Sequence, residues 1–317
     1  MNEYFLGVDG GQSSTVAAIG DERGRIAGWS TAGPCNHVAA DEAQAKFLRV
    51  MSECLSHAAR NAGIDLNRTR FRGACLGMSG GPEDKADLLR QVIQAEHMIV
   101  THDARIALAG AMGGGAGTIV IAGTGSIAYG ENERGESARA GGWGYVFGDE
   151  GGGFDIARQA LRAILREHEG WGPRTALTPA LLEAVGVSDA NAALHRFYTP
   201  EWPRARVAGL ARIVSHIAEE GDPVAAALVN AAAQNLASLA AAVRRQLWAE
   251  GAESRVAWVG GMFGGAILLE RFRSLVEMNE NARVSPPLHS PAVGALLLAW
   301  RSAGVLGVPE PVAGLKA

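Results

Sequence analysis

The sequence predicts an α/β protein of two related lobes, and three observations predict it. Short strands joined by glycine and polar turns open the chain and give way to alternating helix and strand. That opening design then recurs in the middle of the chain. A long helix-rich stretch follows the recurrence and ends in one more strand and a closing helix. At 317 residues, with 48% hydrophobic and 20% charged content, the chain can bury a sizeable core as one large domain or two ordinary ones.

Residues 4–9 and 15–19 read as strands about a glycine turn, and GDERGR (20–25) is a polar turn before a third strand at 26–30. From Asp41 to Arg60, Ala43, Phe47, Val50, Met51, Cys54, Leu55 and Ala58 recur at helical spacing. Asp41 is placed to cap the start, and Gly63 follows the end. Residues 71–78 read as a strand ending in SGG, 83–96 as a second helix, and 98–101 as a strand running into His102 and Asp103. After AGAMGGGAG the pattern restarts: a strand at 118–122, the turn GTGS, a strand at 127–129 and the polar turn ENERG. DGGQS…GDERG and AGTGS…GENERG therefore look like two copies of one strand-turn-strand design, a candidate duplication giving two lobes that face one another across a cleft. Residues 154–247 are alanine-, leucine- and arginine-rich at helical spacing, with Asp222 and Pro223 as an N-cap and first-turn pair. A strand at 255–259 runs into GGMFGG, and Ser290-Pro291 opens a closing helix at 292–303. The expected division is an N-terminal lobe over 1–112, closed by the segment 290–317, and a C-terminal lobe over 113–289.

A net charge of −4 gives no electrostatic footprint for nucleic acid or an anionic membrane, so function is sought in a local site. Cys35, Cys54 and Cys75 form no CxxC pair, which argues against a disulfide framework or a cysteine-rich metal site and fits a reducing cytoplasm. No leader is expected from MNEYFLGVDG, and apolar runs such as 292–300 are too short to span a bilayer.

Five segments carry candidate chemistry. In Asp9–Thr15, the glycines let backbone N–H groups approach phosphate oxygens, the hydroxyl and amide side chains add donors, and Asp9 can hold a hydrated divalent cation. The same residues also suit an ordinary hairpin turn. Gly123-Thr124-Gly125-Ser126-Ile127-Ala128 matches GxGxxA, but a dinucleotide fingerprint must open a helix and here a turn follows. A second phosphate hairpin fits better, a plain tight turn being the alternative. Asp103, at a strand end in VTHDA, reads as a general base for an attacking hydroxyl or as a helix N-cap, with His102 beside it structural. GGWGYVFGDEGGG (141–153) packs glycines around Trp143 and Asp149-Glu150, which suggests close backbone approach to a ligand with Asp149 available to sugar hydroxyls; a flexible loop is the other reading. GGMFGG (260–265) could let an adenine ring lie against backbone.

Taken in order, VDGGQSST, THDA, AGTGS, GGWGYVFGDEGGG and VGG resemble the actin/hexokinase/Hsp70 superfamily, and within it the N-acetylglucosamine kinases and BadF/BadG-type ATPases. The resemblance runs over nearly the whole chain, and GGWGxxxGDEGxG is its most specific piece. It implies a two-lobed actin-like (ribonuclease H-like) fold with a mixed sheet in each lobe, and ATP with Mg2+ in the cleft. Gly10, Gly11, Ser13 and Thr15 would form the first phosphate loop, with Gln12 and Ser13 departing from the commoner basic wording. Gly123, Thr124, Gly125 and Ser126 would form the second, Gly260 and Gly261 would contact adenosine, and Asp9 would help place Mg2+. Asp103 resembles the catalytic base. Asn36, Gly142 and Asp149, with Asp103 and Thr124, would hold the sugar. The implied activity is transfer of the γ-phosphoryl of ATP to the 6-hydroxyl of N-acetylglucosamine or glucosamine by a cytoplasmic homodimer. The alternative is a BadF-type ATPase that activates a partner enzyme through an iron-sulfur cluster bridging two subunits, and the position of all three cysteines before residue 76 argues against it.

Overall fold

The computed structural model describes residues 3–11, 14–35, 40–80, 85–278, 281–306, 309 and 315, with the backbone alone for 40–42. The chain divides into two compact units, Met1–Ala116 with Pro286–Ala317, and Gly117–Ser285.

In the first unit, β1 (Tyr4–Gly10), β2 (Thr15–Asp21) and β3 (Ile26–Ala32) form an antiparallel meander. β4 (Phe71–Met78) pairs parallel with β1, and β5 (Ala95–His102) pairs parallel with β4, giving the order β3-β2-β1-β4-β5. β1 is covered on both faces, which is why it reads as an unbroken apolar run rather than an alternating one. Its even positions Leu6 and Val8 join Phe47, Met51, Cys54 and Leu55 of helix α1 (Ala40–Asn61) in one core. Its odd position Phe5 joins Cys75, Ile106, Leu296 and Trp300 in another, built on α3 (Asp103–Ala111) and α11 (Pro291–Ser302). The closing helix comes so near the sheet that a Cβ on Gly7 would lie 2.4 Å from the amide nitrogen of Leu296. Trp300 fixes its end by donating its indole N–H to the Asp21 carbonyl at 3.0 Å.

The second unit repeats the plan. β6 (Gly117–Ala122), β7 (Ser126–Glu131) and β8 (Ser137–Gly141) form an antiparallel meander, while β9 (Ser254–Val259) pairs parallel with β6 and β10 (Ala282–Ser285) parallel with β9. The order β8-β7-β6-β9-β10 matches β3-β2-β1-β4-β5 strand for strand and direction for direction, the topology expected of a duplicated unit. One core covers this sheet, formed by α4 (Gly153–His168), α5 (Leu177–Val185), α6 (Ala190–Phe197), α7 (Arg204–Gly209), α8 (Ala211–Glu219), α9 (Pro223–Leu247) and α10 (Ala266–Glu277). Asp222 caps α9 as expected, accepting the Ala225 amide at 2.8 Å. Against the expectation that no apolar stretch is long enough to span a bilayer, α9 is long and apolar enough by length and composition alone. Here its apolar side, with Val229, Leu236 and Val243, lies buried in the unit's core.

Three elements depart from expectation. The helix expected over 83–96 is described only as the single turn α2 (Ala86–Leu89), and β5 begins already at Ala95. The apolar spacing of Leu88, Leu89, Val92 and Ile93 imitates a helix while serving a turn that packs on the α1 side of the sheet. β8 and β10 were not anticipated, because short edge strands carrying Arg139 and Arg283 show little of the β-branched signal of interior strands.

Candidate functional site

Two clusters of candidate residues form, one in each unit. In the first unit, the three parallel strands β1, β4 and β5 end side by side, and Asp9, Ser79 and Asp103 stand at or just past their carboxyl ends, where open α/β sheets bind ligands. The period of two along β1 puts Asp9 on the same face as Phe5 and Gly7, the face that carries α3. Asp103 is the first residue of α3, not its cap; the N-cap is the exposed His102, whose side chain makes no capping bond. The Asp103 carboxylate accepts the Ala104 amide at 2.8 Å and the Ser79 hydroxyl at 2.7 Å, so its orientation is set from two sides. Ser79 is in turn held by its own amide to the Gly10 carbonyl at 3.1 Å and by Lys85, whose ammonium donates to the Ser79 carbonyl at 2.9 Å.

Asp9 keeps an edge at the surface, yet protein surrounds it closely. Desolvation first, and then the charge of Asp103, raises its carboxyl from 3.8 to about 7. A carboxylate so destabilised is a ready partner for a cation. Among the described residues no cluster of three or more acidic, histidine or cysteine side chains could hold a metal by itself. That donor set suits an ion like Mg2+, which keeps waters and phosphate oxygens as most of its ligands and takes one carboxylate from protein.

The first glycine turn is tighter than a free cradle. The Gly11 amide donates to the Ser14 carbonyl at 2.9 Å, and a Cβ on Gly10 would lie 2.5 Å from the Met78 sulfur. Thr15 is fully buried and donates its hydroxyl to the Gly33 carbonyl at 2.9 Å, so it braces the hairpin instead of facing a phosphate. Gln12, Ser13 and Asn36 lie outside the described residues.

In the second unit, the turn Gly123–Ser126 is clamped to the start of α4. The Gly153 and Phe154 amides donate to the Gly123 and Thr124 carbonyls at 2.7 and 3.0 Å, and the Ser126 hydroxyl donates to the Glu150 carbonyl at 2.7 Å. The glycines of GDEGGG are needed for this approach, since a Cβ on Gly152 would stand 2.6 Å from the Gly125 carbonyl carbon. Gly142 donates its amide to the Ser126 carbonyl at 3.0 Å, which ties the Trp143 loop to the same turn. Trp143 and Phe147 of that loop are 65% and 84% exposed. Gly260 sits at φ +108°, where a Cβ would be 2.4 Å from the Ala122 carbonyl oxygen, whereas a Cβ on the exposed Gly261 would meet nothing within 4 Å.

Asp149 differs from its expectation. It adopts φ +63°, is buried, and holds its carboxylate against Gly125, with the Ser126 amide donating to it at 3.4 Å and Arg204 forming an ion pair with it. It is engaged with protein instead of standing bare to a sugar. Two functional candidates escaped the sequence. Ser79 carried only the signal of standing in SGG after a strand. Arg204, more than fifty positions beyond Asp149, carried none.

The family model for the BadF/BadG/BcrA/BcrD ATPase family matches residues 6–299. The chain is 30% identical over 304 residues to a Clostridium acetobutylicum N-acetylmuramic acid/N-acetylglucosamine kinase, covering 94% of this chain and 98% of that one. It is also 30% identical over 317 residues to a Dictyostelium discoideum N-acetyl-D-glucosamine kinase, covering 95% and 98%. A crystal structure of a candidate N-acetylglucosamine kinase from Chromobacterium violaceum superposes with a TM-score of 0.74 at 28% identity, over 94% of this chain and 99% of that one.

Proposed function

Because this chain belongs to the BadF/BadG/BcrA/BcrD ATPase family, we propose that it is an ATP-dependent amino-sugar kinase that moves the γ-phosphoryl of ATP to the 6-hydroxyl of N-acetylglucosamine or glucosamine. The observation that carries the reading is the Asp103 carboxylate. It is oriented by Ser79 and the Ala104 amide and stands near a second carboxylate, Asp9, at the ends of parallel strands. Relatives named as kinases of N-acetylglucosamine, alike over nearly their whole length, support the sugar class.

In this reading the sugar hydroxyl loses its proton to Asp103 as its oxygen bonds to the γ-phosphorus, and the bond from that phosphorus to the β,γ-bridging oxygen breaks to release ADP. Ser79 and the Ala104 amide each bond one carboxylate oxygen, which fixes the plane of the carboxylate and so the directions of the lone pairs left to accept the proton. Asp9 would hold Mg2+, which supplies charge neutralisation to the phosphates. The clamped turn Gly123–Ser126 would face phosphate oxygens, and the open backbone at Gly261 would lie against adenine. Asp149 would orient the sugar while paired to Arg204, and Gly142 would keep the Trp143 loop beside it.

The three cysteines favour the kinase over the cluster-bearing activator and agree with a cytoplasmic setting. All are buried, and burial pushes the Cys75 thiol up to about 12 and raises those of Cys35 and Cys54. Thiols held protonated inside a core are poor cluster ligands. The test is coupled ADP release over glucose, glucosamine, N-acetylglucosamine, N-acetylmuramic acid and N-acetylmannosamine. Release that depends on an amino sugar supports the assignment, and release indifferent to every sugar removes it.

A further inference from the structure

The second unit holds a cavity of about 370 Å³ that borders the Asp149 cluster through Arg204 and Tyr145 and is otherwise walled by α4, α6, α7 and the segment leading into α7. Its size is that of a small-molecule site, and its lining is largely ring and branched carbon, including Phe154, Leu161, Phe197 and Trp202. Phe197 and Trp202 meet edge to face with centroids 5.1 Å apart, so this wall is already packed into a fixed shape. Two guanidinium groups, Arg158 and Arg204, interrupt the apolar surface.

The two arginines are alike in their bonding. Arg158 gives one terminal nitrogen to Asp155 at 2.9 Å, and Arg204 gives one to Asp149. In each, the buried Nε–H has no acceptor among the described residues. Those two nitrogens are covered by protein, but the second terminal nitrogen of each guanidinium also has no acceptor among the described residues and keeps some surface, so a ligand in the cavity can match it. Because each guanidinium already faces a carboxylate, the local charge is close to balanced. A dianion would be repelled by Asp149 and Asp155, whereas a monoanion with two oxygens offers one acceptor to the second terminal nitrogen of each guanidinium.

We propose that this cavity binds a small amphipathic monocarboxylate whose aryl or branched acyl body lies among the rings and whose carboxylate meets Arg158 and Arg204. Occupancy would be felt at the Gly123–Ser126 turn, because Arg204 also holds Asp149, and Asp149 accepts the Ser126 amide.

The test is calorimetric titration of the full chain with 3-phenylpropionate and with its neutral amide, in the presence and absence of ADP and N-acetylglucosamine. The acid should bind with a sub-millimolar Kd, the amide at least tenfold more weakly, and neither ADP nor the sugar should displace the acid. Ala193→Phe, which fills the cavity, should abolish binding of both. Should that variant melt early, Arg158→Gln, on a half-exposed side chain, should weaken the acid at least fivefold and leave the amide unchanged. In amide NMR spectra the acid should shift the Ser126 resonance. The titration needs no turnover, so it can succeed or fail independently of the kinase assignment. Equal binding of acid and amide, displacement by ADP or the sugar, or an unmoved Ser126 resonance overturns the proposal.

Discussion

Asp9 and Asp103 are two carboxylates in one neighbourhood with different supports. Asp103 receives two hydrogen bonds, while Asp9 bears the cost of burial and of its neighbour's charge. Replacing Asp103 with Asn should lower kcat by about 10² to 10⁴, the contribution of a positioned general base, and leave the melting temperature nearly unchanged. A folded variant with full turnover in the ADP-release assay would place the base elsewhere. Asp9 predicts a pH effect in metal-free protein. Its folded carboxyl titrates near 7 and its unfolded one near 3.8, so the folded state binds the extra proton between those values. The stability this adds is fully present below about pH 4 and is lost as pH rises through 7. Asp9→Asn should flatten that decline, on the order of 1–2 kcal/mol after discounting for the exposed edge of the carboxyl, in urea melts at pH 5 and pH 8.

Elements of the second unit are tied together by single polar residues at their ends. Asp222 caps α9 through the Ala225 amide and also accepts the Thr175 hydroxyl at 2.9 Å and the Ala176 amide at 2.8 Å, joining the start of α9 to the segment that begins α5. Burial alone would raise its carboxyl, but these bonds outweigh that and hold it below the usual range. Asp222→Ala should cost about 2 kcal/mol, from a lost cap and two orphaned donors, while Asp222→Asn, which keeps an acceptor, should cost less. The stability that the ionised carboxylate supplies is present above about pH 4 and disappears as pH falls through the lowered folded value. Thermal melts of the two variants at pH 7 and pH 3 check both statements. The cap was legible because Asp-Pro before an alanine-rich run is a local signal; its bonds to Thr175 and Ala176 were not, because they join positions far apart in sequence.

At the scale of the whole molecule, the two units share a sheet topology but differ in how the chain completes them. Gly117–Ser285 is one continuous segment with its own core, whereas the sheet of the first unit is covered on one face by α11 from the far end of the chain. Residues 117–285 expressed alone should therefore fold cooperatively. Residues 1–116 alone should not, since Phe5, Ala18 and Cys75 would lose Leu296 and Trp300, and a peptide of 286–317 added in trans should restore their structure. Circular dichroism melts of the three preparations decide this, and a cooperative melt of 1–116 by itself would contradict it.

The sequence by itself determined the α/β class, the repeated strand-turn-strand design and the places where glycine, carboxylate and hydroxyl meet at strand ends. These are local matters: the period of apolar residues selects helix or strand, and turns demand glycine within a few positions. Tertiary structure alone decided that Thr15 braces a hairpin, that Ser79 orients Asp103, that Asp149 is paired with Arg204, and that β8 and β10 complete their sheet. Each of these depends on partners brought together by packing. A hydroxyl or carboxylate has the same spelling in a sequence whether it faces a ligand or a buried neighbour, and only the folded chain supplies the neighbour.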